Sequence, residues 1–377
     1  MRYLDVGPAP EISAPKISAQ KISAIGLGTW QFGSKEWGYG TPYAEREARA
    51  IVRRAIELGV TLFDTAEIYG LGRSERILGQ AISGRREDVF LATKLLPVLP
   101  LPAVVQQRAV ASANRLGVSR LDLYQVHQPN PVVPDTVIMR GMRTLQRIGL
   151  VGEVGVSNYP LARWKAAEEA LGSRVLSNQV RFSLAAPGPA DDLVPYAERT
   201  GHVVIAYSPL AQGFLSGRYD GSNRPRNRVR SFNALFLPVN QERAAGLLRV
   251  LREVADAHDA GFSQVALAWL IRSPAVVAIP GASSVAQLES NVAAAEIDLT
   301  DDEWQALRDA AVRFRPATGP ATLPRLLRAR MARVPKIRQS RETRQSQETR
   351  QSRETRQSQE TRQSRAGQPG EQSGDEG

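Results

Sequence analysis

The chain has 377 residues, 42% of them hydrophobic, a formal net charge of +11 and no cysteine. That length and apolar content suit one large domain or two ordinary ones and argue against a fibrous or membrane class. The missing thiols exclude disulfides, cysteine metal sites and a cysteine nucleophile, and they fit a reducing cytoplasm. The charge is unevenly placed. Residues 321–377 hold 13 basic and 7 acidic side chains, a balance of +6, which leaves +5 for residues 1–320. The body is therefore only mildly basic, and no aromatic residue lies in the tail to stack on a base, so a nucleic-acid partner is not expected.

The N-terminus, MRYLDVGPAPE, lacks a basic segment leading into an apolar one, so no signal peptide is expected. A five-residue repeat, ISAPK-ISAQK-ISAIG at 12–26, then runs into the first strand. Short apolar runs at 25–29, 60–64, 89–93, 121–126, 151–156, 175–180, 203–207 and 275–279 predict eight strands. Amphipathic stretches at 45–58, 103–116, 135–147, 160–171, 191–199, 241–259 and 263–272 predict helices between them. Alternation of this kind implies parallel strands joined by crossover helices, and eight units favour a closed (β/α)8 TIM barrel. A dinucleotide fingerprint of the open doubly wound type is rejected, because Gly33 stands in the wrong place after Gly26 and Gly28. The most apolar window, LLPVLPLPAVV at 95–105, is too short and too rich in proline to span a bilayer. From Arg338 the sequence repeats RQSRET-RQSQET with no apolar residue, which predicts a solvated, disordered tail. The expected domains are an N-terminal segment at 1–21, the barrel at 22–320 and the basic tail at 321–377.

Barrel chemistry gathers at the C-terminal ends of the strands. Those ends carry Thr29 and Trp30, Asp64 followed by Tyr69, Lys94, His127, Ser157 and Asn158, Gln179, and Tyr207 and Ser208. Successive strands thus deliver an acid, an ammonium and an imidazole to one mouth, with a phenol five residues beyond the acid. A phenol near pKa 10 is a poor acid at neutral pH, and a neighbouring ammonium should lower it. An imidazole N–H can orient a carbonyl oxygen and stabilise charge growing on it. Together the four suit carbonyl reduction without a metal, and His127, His202 and His258 do not show zinc spacing.

In their order, IGLGTWQFG, GVTLFDTAEIYGLGRSERILG, LATK, LDLYQVHQP, GVSNY, SNQV, AYSPLAQGFLSGRY and AIPGASSVAQLESN resemble the aldo-keto reductases, over about residues 22–315. The resemblance implies a (β/α)8 barrel, NADP(H)-dependent carbonyl reduction and a catalytic tetrad of Asp64, Tyr69, Lys94 and His127. It also places Thr29 and Trp30 near the cofactor, Ser157, Asn158 and Gln179 on the nicotinamide carboxamide, and Tyr207 under the ring. Ser208, Leu210 and Gly213 would line the pyrophosphate path, Arg218 would sit on a loop at 208–230 that closes over it, and Ser283, Gln287 and Asn291 would meet the adenosine 2′-phosphate and adenine. Where many relatives carry a cation, this chain has Gly281, Ala282 and Ser283, so NADPH is expected with NADH not excluded. Trp30, Trp37, Tyr39 and the 95–101 segment suggest an apolar pocket for a small carbonyl substrate. The segments at 206–219 and 278–284 also resemble potassium-channel β subunits, so a redox-sensing regulatory subunit is the alternative, marked by slow turnover and a tightly retained cofactor.

Overall fold

The computed structural model describes residues 1–6, 21–34, 42–219, 225, 233–319 and 322. The chain divides into two units, Met1–Ala317 and Thr318–Gly377, and the first contains the whole barrel. Much of the ISA repeat, Trp37, Tyr39, most of 220–232 and the arginine-rich repeat lie outside the described residues.

Strands β1 (Tyr3–Asp5) and β2 (Lys21–Ser23) pair as an antiparallel hairpin. Eight parallel strands follow: β3 (Leu27–Gly28), β4 (Leu62–Asp64), β5 (Phe90–Leu95), β6 (Leu121–Val126), β7 (Val151–Ser157), β8 (Val175–Arg181), β9 (Val203–Tyr207) and β10 (Val276–Ala278). They lie side by side in chain order. The ring closes where Ile25 bridges Ala278 and the Gly26 amide donates to the Ala278 carbonyl at 2.8 Å. All eight expected strands are present, and the fold is the (β/α)8 barrel.

Each strand has side chains on one face inside the barrel and on the other under the helices. Every residue of β5, β6 and β7 is therefore buried, including the polar Lys94, Asp122, Gln125 and Glu153. Helices cover the outside; that of 135–147 buries one stripe, Ile138, Met139, Met142 and Leu145, whereas that of Phe262–Ile271 is buried all round from Val265 to Ile271. Gly155 on β7 sits between the facing Gln125 and Ser177, and a Cβ there would come within 2.4 Å of the Ser177 Oγ. The polar interior of the barrel thus depends on a missing side chain.

The hairpin closes the N-terminal end. Tyr3 donates to the Gly59 carbonyl before β4, Arg2 to the carbonyls of Arg272 and Ser273 before β10, and Arg174 reaches back to the Val6 carbonyl. Among the described residues, the helices Arg73–Ile82, Val285–Ala293 and Asp301–Arg313 lie outside the amphipathic stretches, and the stretch at 241–259 divides into Pro238–Arg243 and Ala245–Ala257. Among the described residues, no helix is long and apolar enough to cross a membrane.

Candidate active site

Asp64 ends β4, Lys94 lies one residue from the end of β5, and His127 follows β6 directly, so three neighbouring parallel strands present them at one end of the barrel. Lys94 Nζ donates to Asp64 Oδ1 at 2.6 Å and to the Thr65 carbonyl at 2.8 Å, and stands 3.4 Å from the Tyr69 hydroxyl. The lysine is fully buried. The Tyr69 ring meets the His127 ring edge-on, with centroids 5.8 Å apart. Tyr69 is held from behind by two glycines: Gly70, at φ +59°, lies so close to Gly33 that a Cβ on Gly33 would fall 2.4 Å from the Tyr69 carbonyl carbon. Backbone contact of this kind fixes the turn without spending a side chain. Tyr69 and His127 face a cleft of about 560 Å³, walled by Trp30, Ile68, Leu96 and Gln128 among others.

Burial pushes the Tyr69 pKa up; Lys94 opposes it and Asp64 adds to it, so the phenol ends above its ordinary value. Lys94 does pull it down as expected, but burial outweighs that pull and Asp64 adds to the rise. Tyr69 is therefore a stored proton rather than a phenolate. Burial works against charge on Lys94, but Asp64 and then Tyr69 overcome it and hold the pKa above its usual value, so the ammonium persists. Burial and then Lys94 lower the His127 pKa to about 3, leaving a neutral imidazole. Its buried Nδ1 finds no partner among the described residues. A bare lone pair is easier to bury than an unpaired N–H, which assigns the hydrogen to Nε2.

The second Asp64 oxygen is also held. Gln179 Nε2 donates to Oδ2 at 2.7 Å, and Gln125 Nε2 lies 3.4 Å from the same atom. Gln125 escaped the sequence reading, although it stands two residues before His127 and so shares its inward face. Further round the barrel, Asn158 (φ +62°) donates through Nδ2 to Ser157 Oγ at 3.0 Å and to the His127 carbonyl at 3.3 Å. Its Oδ1 accepts from the Tyr207 hydroxyl at 3.0 Å. Ser157, Asn158, Gln179 and Tyr207 thus come together at the ends of β7, β8 and β9. Beyond them Ser208, Ala211, Gln212 and Gly213 all have positive φ and flank Leu210, giving a tightly coiled turn that leads to the exposed Arg218.

Residues 24–312 match the Aldo/keto reductase family. The chain belongs to that family. It is 56% identical over 333 residues to an oxidoreductase of Mycobacterium tuberculosis, covering 88% of this chain and 100% of the relative. It is 33% identical over 283 residues to the methylglyoxal reductase of Escherichia coli, covering 74% of this chain and 87% of that one. Among solved structures it resembles an aldo/keto reductase of Klebsiella pneumoniae in complex with NADP and acetate, at 30% identity and TM-score 0.62, covering 79% of this chain and 94% of that one. Like its family, this protein is an NAD(P)H-dependent oxidoreductase.

The residues of this aldo-keto reductase fit such a cofactor. Gln179 has its amide N–H engaged by Asp64 but its amide oxygen accepts from nothing among the described residues, and the Ser157 hydroxyl, as acceptor from Asn158, keeps its own hydrogen to give. An acceptor beside a donor is what a carboxamide needs. Other predicted residues stand differently. The Thr29 hydroxyl is buried against Ser74 Oγ and the Asp64 carbonyl, so it joins β3 to the 73–82 helix. Trp30 lies at the cleft, 42% exposed. Ser283 lies one residue before Ser284, which caps the helix Val285–Ala293 by accepting from the Gln287 backbone amide, while Ser283 donates through both N and Oγ to Gln287 Oε1. Asn291 is buried near the end of that helix, 3.4 Å from the Gly281 carbonyl.

Proposed function

We propose that this enzyme reduces aldehydes or ketones to alcohols with NADPH, Tyr69 giving the proton to the carbonyl oxygen. The observation that carries the reading is the buried ammonium of Lys94, shared between Asp64 and the Tyr69 hydroxyl at the foot of the cleft. When bound, the cofactor supplies a hydride to the carbonyl carbon. The His127 Nε2–H orients the carbonyl oxygen and stabilises the charge that develops there. Tyr69 transfers its proton to that oxygen as general acid. The phenolate left behind is stabilised by Lys94, which Asp64 keeps charged and in place, until the cleft returns a proton from water. Ser157, Asn158 and Gln179 would hold the carboxamide, Tyr207 the ring, and Ser208, Leu210, Gly213 and Arg218 the pyrophosphate side.

The preference for NADPH rests on Ser283, just before the nine-residue helix Val285–Ala293, and Gln287 in its first turn, where backbone N–H groups favour a phosphate. Relatives support the chemistry by name: one is a methylglyoxal reductase and another, at 33% identity, the pyridoxal reductase of Arabidopsis thaliana. The reading takes 22–320 as the catalytic domain, 321–377 as a tail that catalysis does not require, and the cytoplasm as its setting. A panel of aldehydes and ketones assayed by nicotinamide absorbance with NADPH and NADH tests it. Oxidation of NADPH that depends on an added carbonyl is expected; none with any carbonyl would end the proposal. The Ser283→Ala/Gln287→Ala double variant is expected to lose affinity for NADPH more than for NADH, and equal losses would remove these two residues from phosphate recognition.

A further inference from the structure

Two buried carboxylates stand behind the site, one on each side of Tyr69 in the chain, and neither lines the cleft. Glu67 lies two residues before Tyr69 in the loop after β4, with its side chain 8% exposed. Glu75 lies six residues after it, in the first turn of the helix Arg73–Ile82, and is fully buried. Both reach across to β5 and grip it on either side of Lys94. Glu67 Oε1 accepts from the Leu96 amide at 2.5 Å, and the Glu67 amide lies 3.5 Å from the Lys94 carbonyl. Glu75 Oε1 accepts from the buried Thr93 hydroxyl at 2.7 Å.

One helix anchors both carboxylates. Arg108 and Arg115 lie seven residues, about two turns, apart on Pro102–Leu116 and so share a face. Arg108 Nε donates to the two Glu67 oxygens at 3.0 and 2.9 Å, and Arg115 Nε to Glu75 Oε2 at 2.5 Å. Tyr124, which pairs with Thr93 across β6 and β5, stands among the four charges. Burial, then Glu67 and Glu75, push its hydroxyl up in pKa, and Arg108 and Arg115 pull back. Stability alone does not call for this cluster, because replacing buried ion pairs by apolar packing is often neutral. What the charges add is direction, since hydrogen bonds fix both distance and angle. The contact framed in this way is the one between Lys94 Nζ and the Tyr69 hydroxyl. At 3.4 Å it lies at the long limit of a hydrogen bond, where a small shift decides whether it forms.

We propose that Glu67 and Glu75, backed by Arg108 and Arg115, form a brace that sets the distance between Tyr69 and Lys94. All four are then positioning residues for the proton transfer, an inference that rests on the reading of Tyr69 as proton donor. Loss of an arm lets the loop after β4 move away from β5. The ammonium then stabilises the phenolate less, so proton transfer slows while cofactor binding is unchanged.

The test uses the full-length enzyme and three variants. Glu67→Ala removes one arm, Glu67→Gln keeps an acceptor for Leu96, and Arg108→Met removes the anchor at a partly exposed position. In Glu67→Ala and Arg108→Met, kcat for a reducible aldehyde is expected to fall about ten-fold or more, with the NADPH dissociation constant within about two-fold of the parent. Glu67→Gln should recover most of that loss. The solvent deuterium isotope effect on kcat should rise as kcat falls, because the proton step has become slower. A smaller folded fraction would scale kcat and leave the isotope effect where it was. Crystal structures of the parent and Arg108→Met read the separation of Lys94 Nζ from the Tyr69 hydroxyl without turnover, and it is expected to lengthen. An unchanged separation, an unchanged isotope effect, or a glutamine variant as impaired as the alanine one would overturn the brace. If the parent reduces no carbonyl, the reductase reading fails and the separation alone decides the brace.

Discussion

The two ends of the barrel handle buried charge in opposite ways. At the N-terminal end, Asp122 accepts from Arg86 at 2.6 Å and from the Leu91 amide at 2.7 Å, and Glu153 pairs with Arg174 at 3.1 Å. The hairpin lies nearby through the bond from Arg174 to Val6. Burial pushes both carboxyl groups up in pKa, and their arginines pull back without fully offsetting it. None of these four side chains lines the cleft beside Tyr69. At the C-terminal end, the Lys94 ammonium is more fully enclosed than either arginine, yet one of its contacts is a phenol that faces the cleft. The difference teaches that burial of an ion pair does not by itself point to chemistry; the proposed role of Tyr69 rests on a reactive third partner that faces a cleft.

Breaking one pair at each end sharpens the contrast. Lys94→Met should lower kcat by about 10²–10⁴. It should also destabilise the protein by about 3–5 kcal/mol, since it leaves the Asp64 charge buried without its partner. Chemical denaturation and steady-state assays of one preparation read both. Asp122→Asn should cost about 1–3 kcal/mol through the weakened bonds to Arg86 and Leu91, with kcat unchanged. A fall in kcat matching that of Lys94→Met would show that the two ends are not separate.

A smaller effect lies in the pH dependence. His127 stays neutral in the folded protein down to about pH 3, whereas an unfolded chain takes up that proton near 6.5. The unfolded state thus binds more protons in this window, and His127 costs stability progressively as pH falls from about 6.5 toward 3. His127→Asn should flatten the acid limb of a stability-versus-pH curve there. An unchanged slope would mean that His127 is not buried neutral.

Much of this was legible in the sequence, for identifiable reasons. A barrel strand announces itself as a short apolar run, and the barrel collects its ends at one rim, so Asp64, Lys94 and His127 could be read as neighbours. What escaped depended on cancellation or on choices between adjacent residues. No spacing tells that burial outweighs Lys94 at Tyr69, or that Ser284 and not Ser283 caps its helix. The 73–82 helix begins at the left-handed Gly72 without a side-chain cap, and so lacks a start signal. The 301–313 helix did carry one, the reciprocal Thr300–Glu303 capping box, within DLTDDEW. Glu67 and Glu75 read as ordinary acids of a loop and a helix until their partners on β5 and beyond it are known.

The central claim is that the proton comes from Tyr69, and Tyr69→Phe tests it most directly because only the hydroxyl is removed. Turnover of a reducible aldehyde and the dissociation constant for NADPH, by fluorescence quenching, should be measured on the same variant. The account predicts a loss of kcat of about 10²–10⁴ with NADPH affinity close to that of the parent enzyme. Substantial retained turnover with the same affinity would contradict it and would move the proton donor elsewhere in the cleft.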